Sequence, residues 1–125
     1  MGPAVLVVDD EPAICDNLVA FLEDEGMLVY TAPTGEDALH RITAGLDVQV
    51  CIMDLRLPAM SGTDAILQIH RVAPAVHFVI HTGSAEESVL AGLHENGLGE
   101  IPVFRKPVKN MSELAQTVSS LCSNA

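Results

Sequence analysis

Five short apolar runs, separated by stretches with helical periodicity, most constrain what this chain can fold into. They are residues 4–8, 27–31, 50–53, 76–81 and 103–104. Four of them lead into a polar signal: Asp9-Asp10, Asp54, Thr82-Gly83 and Lys106-Pro107. Short apolar runs closed by turn residues and alternating with helices read as strands of a buried parallel sheet. The fold expected is therefore α/β, a doubly wound five-stranded parallel sheet with helices on both faces. Parallel strands point one way, so their carboxyl ends share one edge, and open α/β sheets place their chemistry there. Three carboxylates, a hydroxyl and an ammonium are thus expected to converge from distant parts of the chain.

The intervening segments carry helix signals. Pro12 suits a first helical turn, and Ile14, Leu18, Phe21 and Leu22 make one apolar stripe up to Gly26. Thr34 with Asp37, Ser61 with Asp64, Ser84 with Glu87 and Asn110 with Glu113 each read as the start of a further helix. Gly45 and Pro74 end the second and third, the fourth runs towards Gly97, and the tail after Leu121 is expected to fray.

With 125 residues the chain reads as one domain over 1–125, without repeat, linker or low-complexity stretch. A net charge of -11 with only six Lys and Arg argues against direct nucleic-acid binding and favours a cation or a basic partner surface. Three cysteines without Cys-x-x-Cys spacing read as reduced thiols of a cytoplasmic protein, Cys15 and Cys51 inside it. No leader is expected, and no apolar run is long enough to span a membrane. His77 and His81 could share a strand face, but without a third ligand they read as structural.

Adjacent carboxylates with a third nearby repel one another unless something positive neutralises them. Mg2+ suits an all-oxygen set and leaves room for phosphate oxygens. Lys106 can grip a phosphoryl oxygen, Thr82 can donate a hydroxyl, and a carboxylate beside them is poised to attack phosphorus. Taken singly, each motif has an ordinary structural reading: an acidic turn at a helix start, a turn Asp, a strand-end Thr, a surface Lys before Pro. Their joint occurrence in order at strand ends argues against those readings.

With those motifs the chain resembles the receiver domains of two-component response regulators over nearly its whole length. The resemblance rests on Val8-Asp9-Asp10-Glu11, on Met53-Asp54-Leu55-Arg56-Leu57-Pro58 with Met60-Ser61-Gly62, on Thr82-Gly83 and on Lys106-Pro107. It implies a sheet order 2-1-3-4-5, an arrangement for which the chemotaxis receiver is a standard example. It implies that Asp54 accepts a phosphoryl group from a histidine kinase or histidine phosphotransfer protein. Asp10, Asp54 and the Arg56 carbonyl would ligate Mg2+, with Asp9 helping through water. Thr82 would be the switch hydroxyl and Lys106 the phosphate partner. Such a domain is a signalling phosphoacceptor that catalyses its own phosphorylation and dephosphorylation, with Arg56 and Ser84 tuning the phosphoryl lifetime. Its output partner or domain is not named by the sequence, which reads as a free-standing receiver or one cut from a longer protein.

Two alternatives differ in class. A haloacid-dehalogenase-like phosphatase would place its nucleophile after the first strand in an Asp-x-Asp arrangement, whereas Asp9 and Asp10 are adjacent. An adaptor without phosphorylation would typically have lost Asp54, an acidic partner or Lys106. The chain departs from the family at Val103, where many receivers carry a rotating Tyr or Phe, and Phe104 is expected on the opposite face. Its 97–102 connector is also slightly long. Output is therefore expected to run through the fourth helix and Val103.

Overall fold

The computed structural model describes residues 3–83 and 87–123. Five strands, β1 (Ala4–Val8), β2 (Leu28–Ala32), β3 (Val50–Met53), β4 (His77–Thr82) and β5 (Val103–Arg105), alternate with five helices. The helices are α1 (Pro12–Asp24), α2 (Gly35–Thr43), α3 (Gly62–Val72), α4 (Glu87–Leu93) and α5 (Met111–Ser123). All pairings are parallel and the order is β2-β1-β3-β4-β5, as the resemblance implies.

The three central strands are almost wholly apolar because both faces are covered. Strand alternation splits their side chains between two cores. Leu6, Val8, Cys51, Met53, Phe78 and Ile80 pack with Ala38 and Ile42 of α2, Ile66 and Ile69 of α3, and Leu93 of α4. Val5, Val7, Val50, Ile52 and Val79 pack on the other face with Leu18 and Leu22 of α1 and Leu114 and Val118 of α5. Val103 joins the first core and Phe104 the second, so the aromatic ring does lie on the opposite face from Val103. Each fully buried aliphatic side chain contributes about 1.5 to 3 kcal/mol.

Three of the expected caps form. Thr34 Oγ1 accepts the Asp37 N–H at 3.0 Å, Ser61 Oγ the Asp64 N–H at 3.1 Å, and Asn110 Oδ1 the Glu113 N–H at 3.1 Å. The fourth, on Ser84, lies outside the described residues. Four elements differ from expectation at their boundaries. β2 and β4 each start and end one residue later than the apolar runs, so Thr82 closes β4. Regular α4 stops at Leu93 and passes into a wider turn over His94–Leu98, where Gly97 has φ 85° and Gly99 follows with φ 69°. α5 continues past Leu121 to Ser123. Cys15 and Cys51 are buried and free, and burial alone pushes the Cys51 thiol up to about 12. No helix among the described residues is long and apolar enough to cross a membrane.

Candidate functional site

Backbone hydrogen bonds carry the sheet past the strand ends and fix the residues that follow. Asp9 N–H donates to Ala32 O at 3.2 Å, Asp54 N–H to Val8 O at 3.0 Å, and Lys106 N–H to Thr82 O at 2.9 Å. Asp9, Asp54, Thr82 and Lys106 are thereby held along one edge by ladder geometry. Asp9 and Asp54 are buried, at 2% and 4% exposure, and Thr82 is fully buried.

Asp54 is satisfied on both oxygens. Its Oδ1 accepts the Thr82 hydroxyl at 2.9 Å and the Arg56 N–H at 3.0 Å. Its Oδ2 accepts from Lys106 Nζ at 3.0 Å. The same ammonium lies 2.7 Å from Asp9 Oδ2 and 3.5 Å from Glu11 Oε1. Asp9 Oδ2 makes no aligned hydrogen bond, so the Lys106 charge is its compensation, while Asp9 Oδ1 accepts the Glu11 N–H at 3.0 Å. Burial lowers the affinity of Lys106 for its proton, but its close contacts with the Asp9 and Asp54 carboxylates outweigh it and raise the pKa. Lys106 therefore stays charged throughout the neutral range.

Two backbone features shape the loop after Asp54. Ala59 adopts a left-handed φ of 61°, which costs a residue with a Cβ about 1 to 2 kcal/mol. At Gly62 a Cβ would stand 2.1 Å from the Asp54 carbonyl oxygen and 2.6 Å from Leu55 Cα. Only glycine lets the start of α3 lie this close to the strand end, where Gly62 N–H donates to Leu55 O at 3.1 Å.

The donor set fits a hard divalent cation. Asp9, Asp10, Glu11 and Asp54 each bring a carboxylate oxygen within 4.8 Å of the others. Four carboxylates against one ammonium leave net negative charge, and all-oxygen donors are the preference of Mg2+. The structure therefore brings together every carboxylate singled out in the sequence, with Thr82 and Lys106. It contributes Arg56 to the site through its N–H. Glu11, which closes the Asp-Asp-Glu run, joins these carboxylates although the resemblance assigns it no ligand role. Asp10 and Glu11 are exposed, unlike Asp9.

The sequence matches the response regulator receiver domain over residues 5–119. It is 27% identical over 107 residues, 85% of this chain, to a protein-glutamate methylesterase/protein-glutamine glutaminase of Caulobacter vibrioides, covering 30% of that protein. The chain spans only 12% of a similar sensor kinase from Brucella abortus and 42% of a response regulator receiver protein from Anaeromyxobacter. Among solved structures, a CheY-like receiver domain protein from Methanospirillum hungatei superposes with a TM-score of 0.90 at 27% identity, covering 99% of this chain and 96% of that one. The response regulator TrrA of Thermotoga maritima, in complex with Mg2+ and BeF, gives 0.79 at 28% identity, covering 95% and 98%. A match over nearly the whole chain, on the same sheet order, makes this protein a member of the response regulator receiver domain family of two-component signalling.

Proposed function

We propose that residues 1–125 act as a phosphoacceptor receiver domain in which Asp54 takes a phosphoryl group from a phosphohistidine donor. An Asp54 carboxylate oxygen attacks phosphorus, an O–P bond forms, the P–N bond breaks, and the imidazole of the donor leaves with the electron pair. The observation that carries this reading is the triple contact on Asp54, from the Thr82 hydroxyl, the Arg56 N–H and the Lys106 ammonium. Phosphoryl transfer depends mainly on positioning and charge neutralisation, and these donors all meet the carboxylate that would carry the phosphoryl group.

Asp10 and Asp54, with the Arg56 carbonyl, would hold Mg2+, Asp9 assisting through water and Glu11 adding negative charge. When bound, Mg2+ offsets the negative charge that a phosphoryl group brings to the acidic cluster. Lys106 grips a phosphoryl oxygen, and Thr82 passes its hydrogen bond from the carboxylate to the phosphoryl group. Arg56, beside Asp54, and Ser84, two beyond Thr82, tune access of water to the acyl phosphate. The Thermotoga relative, which binds Mg2+ and BeF, supports the metal assignment. The donor is a histidine kinase or a histidine phosphotransfer protein, and the charged state shifts a surface equilibrium read by an output partner or domain. The domain catalyses its own phosphorylation and dephosphorylation and turns over no free phosphomonoester.

One observation favours a second reading. Thr82 already donates to Asp54 at 2.9 Å, so the site is satisfied without a phosphoryl group, as an adaptor that never reacts would be. Beryllofluoride titration followed by 19F NMR separates the two. The receiver reading expects a bound resonance that requires Mg2+ and is lost in Asp54→Asn. No bound resonance with Mg2+ present would leave the adaptor.

A further inference from the structure

β2 pairs with β1 alone, so its outer side is an open edge of the sheet. Leu28 N–H donates to Pro3 O, and Asp9 N–H donates to Ala32 O. Leu28, Tyr30 and Ala32 thus turn their backbone groups towards β1, and Val29 and Thr31 turn theirs outwards. Such an edge is a template for another strand unless something blunts it. Leu28-Val29-Tyr30-Thr31-Ala32 has neither a charge nor a proline to do so, and Leu28 is 50% exposed. The opposite edge is blunted by its own residues: β5 is three residues long, ends in Arg105 and lies between Pro102 and Pro107. The cover over β2 comes instead from α2. Arg41 lays its guanidinium over the Tyr30 ring, 5.4 Å from the centroid, and its Nη1 donates to Thr31 O at 2.6 Å. A strand approaching this edge must displace that bond and meets a charge held in place by the ring.

We propose that the outer edge of β2 is a latent site for pairing with a second copy of this chain, and that Arg41 is the latch that keeps it closed. The occupant follows from the hydrogen-bond pattern, which is self-complementary. Two copies running antiparallel, with Tyr30 opposite Tyr30, set Val29 of each against Thr31 of the other, and each such pair exchanges both of its N–H···O bonds. The arrangement closes on a two-fold axis, so it ends at a dimer. It also sets exposed Leu28 against Ala32 of the second copy, which removes apolar surface from water. Thr31 O is one of the acceptors this pairing needs, so the latch and the second copy compete for the same oxygen. A net charge of -11 on each copy opposes association as well, and salt screens that repulsion.

The test is sedimentation equilibrium over a concentration series in about 0.5 M NaCl, where the net charge is screened. The unaltered protein should stay monomeric, whereas Arg41→Ala should form a dimer with a Kd of about 0.1 mM, the scale of a small transient contact. Thr31→Pro removes an outward N–H and no bond to β1, so the double variant Arg41→Ala/Thr31→Pro should return to monomer. Amide exchange at Val29 and Thr31 of Arg41→Ala should slow as its concentration rises. Circular dichroism checks the fold of each variant. Should one of them not fold, Arg41→Gln replaces Arg41→Ala and Thr31→Lys replaces Thr31→Pro, with the same expectations. Association that survives the change at Thr31, or a dimer of the unaltered protein that this change abolishes, would overturn the proposal. So would a monomeric Arg41→Ala, including the case where its edge takes up only an extended segment of a different protein.

Discussion

Lys106 is the residue on which the charge balance of the site turns. Its ammonium, 13% exposed, meets Asp9 at 2.7 Å, Asp54 at 3.0 Å and Glu11 at 3.5 Å. Removing it leaves two buried carboxylates without a neutralising charge, and breaking such a pair typically costs about 3 kcal/mol or more. Lys106→Met should therefore lower the urea midpoint of the metal-free protein markedly; an unchanged midpoint would show that water screens the cluster. His81 acts in the opposite sense. It is buried neutral, so below its ordinary pKa of 6.5 the unfolded chain binds a proton that the folded state resists. Its contribution is full above that value and declines as pH falls through it. Denaturation at pH 7.5 and 5.5 should show a smaller loss of stability in His81→Leu than in the unaltered protein.

At the scale of elements, the start of α3 controls Asp54. Gly62 sits against the Asp54 carbonyl, where a Cβ would clash with backbone rather than with a movable side chain. Gly62→Ala should cost about 2 kcal/mol, within the range for overpacking, and should slow phosphoryl acceptance by moving the loop. Normal stability and labelling in that variant would mean that α3 can retreat freely. The motif containing Gly62 was legible in the sequence; its reason was not, since the close approach exists only once β3 and α3 are side by side. Caps on Thr34, Ser61 and Asn110 were legible because capping is local. The end of α4 was not. The apolar spacing of Val89, Leu90 and Leu93 continues as a helical pattern, whereas positive φ at Gly97 turns the backbone away. The apolar run 76–81 puts Thr82 at the strand end, and pairing with Arg105 makes it the last residue of β4.

For the whole molecule, the parallel sheet is what makes a site out of residues far apart in sequence. Apolar runs ending in polar residues made the shared edge legible, and with it Asp9, Asp10, Asp54, Thr82 and Lys106. Pairwise geometry was beyond the sequence: nothing in it says that Thr82 bonds Asp54 rather than solvent, or that His81 is left with an unpaired Nδ1. The same edge concentrates like charge, so cation binding should stabilise the fold through linkage. At about ten times its Kd, Mg2+ should add about 1.4 kcal/mol and raise Tm by about 4 °C or more, beyond any effect of matched ionic strength. Asp10→Asn should raise the metal-free Tm and shrink the Mg2+ increment. An identical increment in that variant would remove Asp10 from the metal site.

The central claim is that Asp54 accepts the phosphoryl group. Its most direct test is the intact mass after incubation with acetyl phosphate or phosphoramidate, with and without Mg2+, followed by borohydride reduction and peptide mapping. The account predicts one phosphoryl group per chain, dependent on Mg2+, mapped to Asp54 and absent in Asp54→Ala. An adduct at another residue, one that persists in Asp54→Ala, or none even at short times would contradict it.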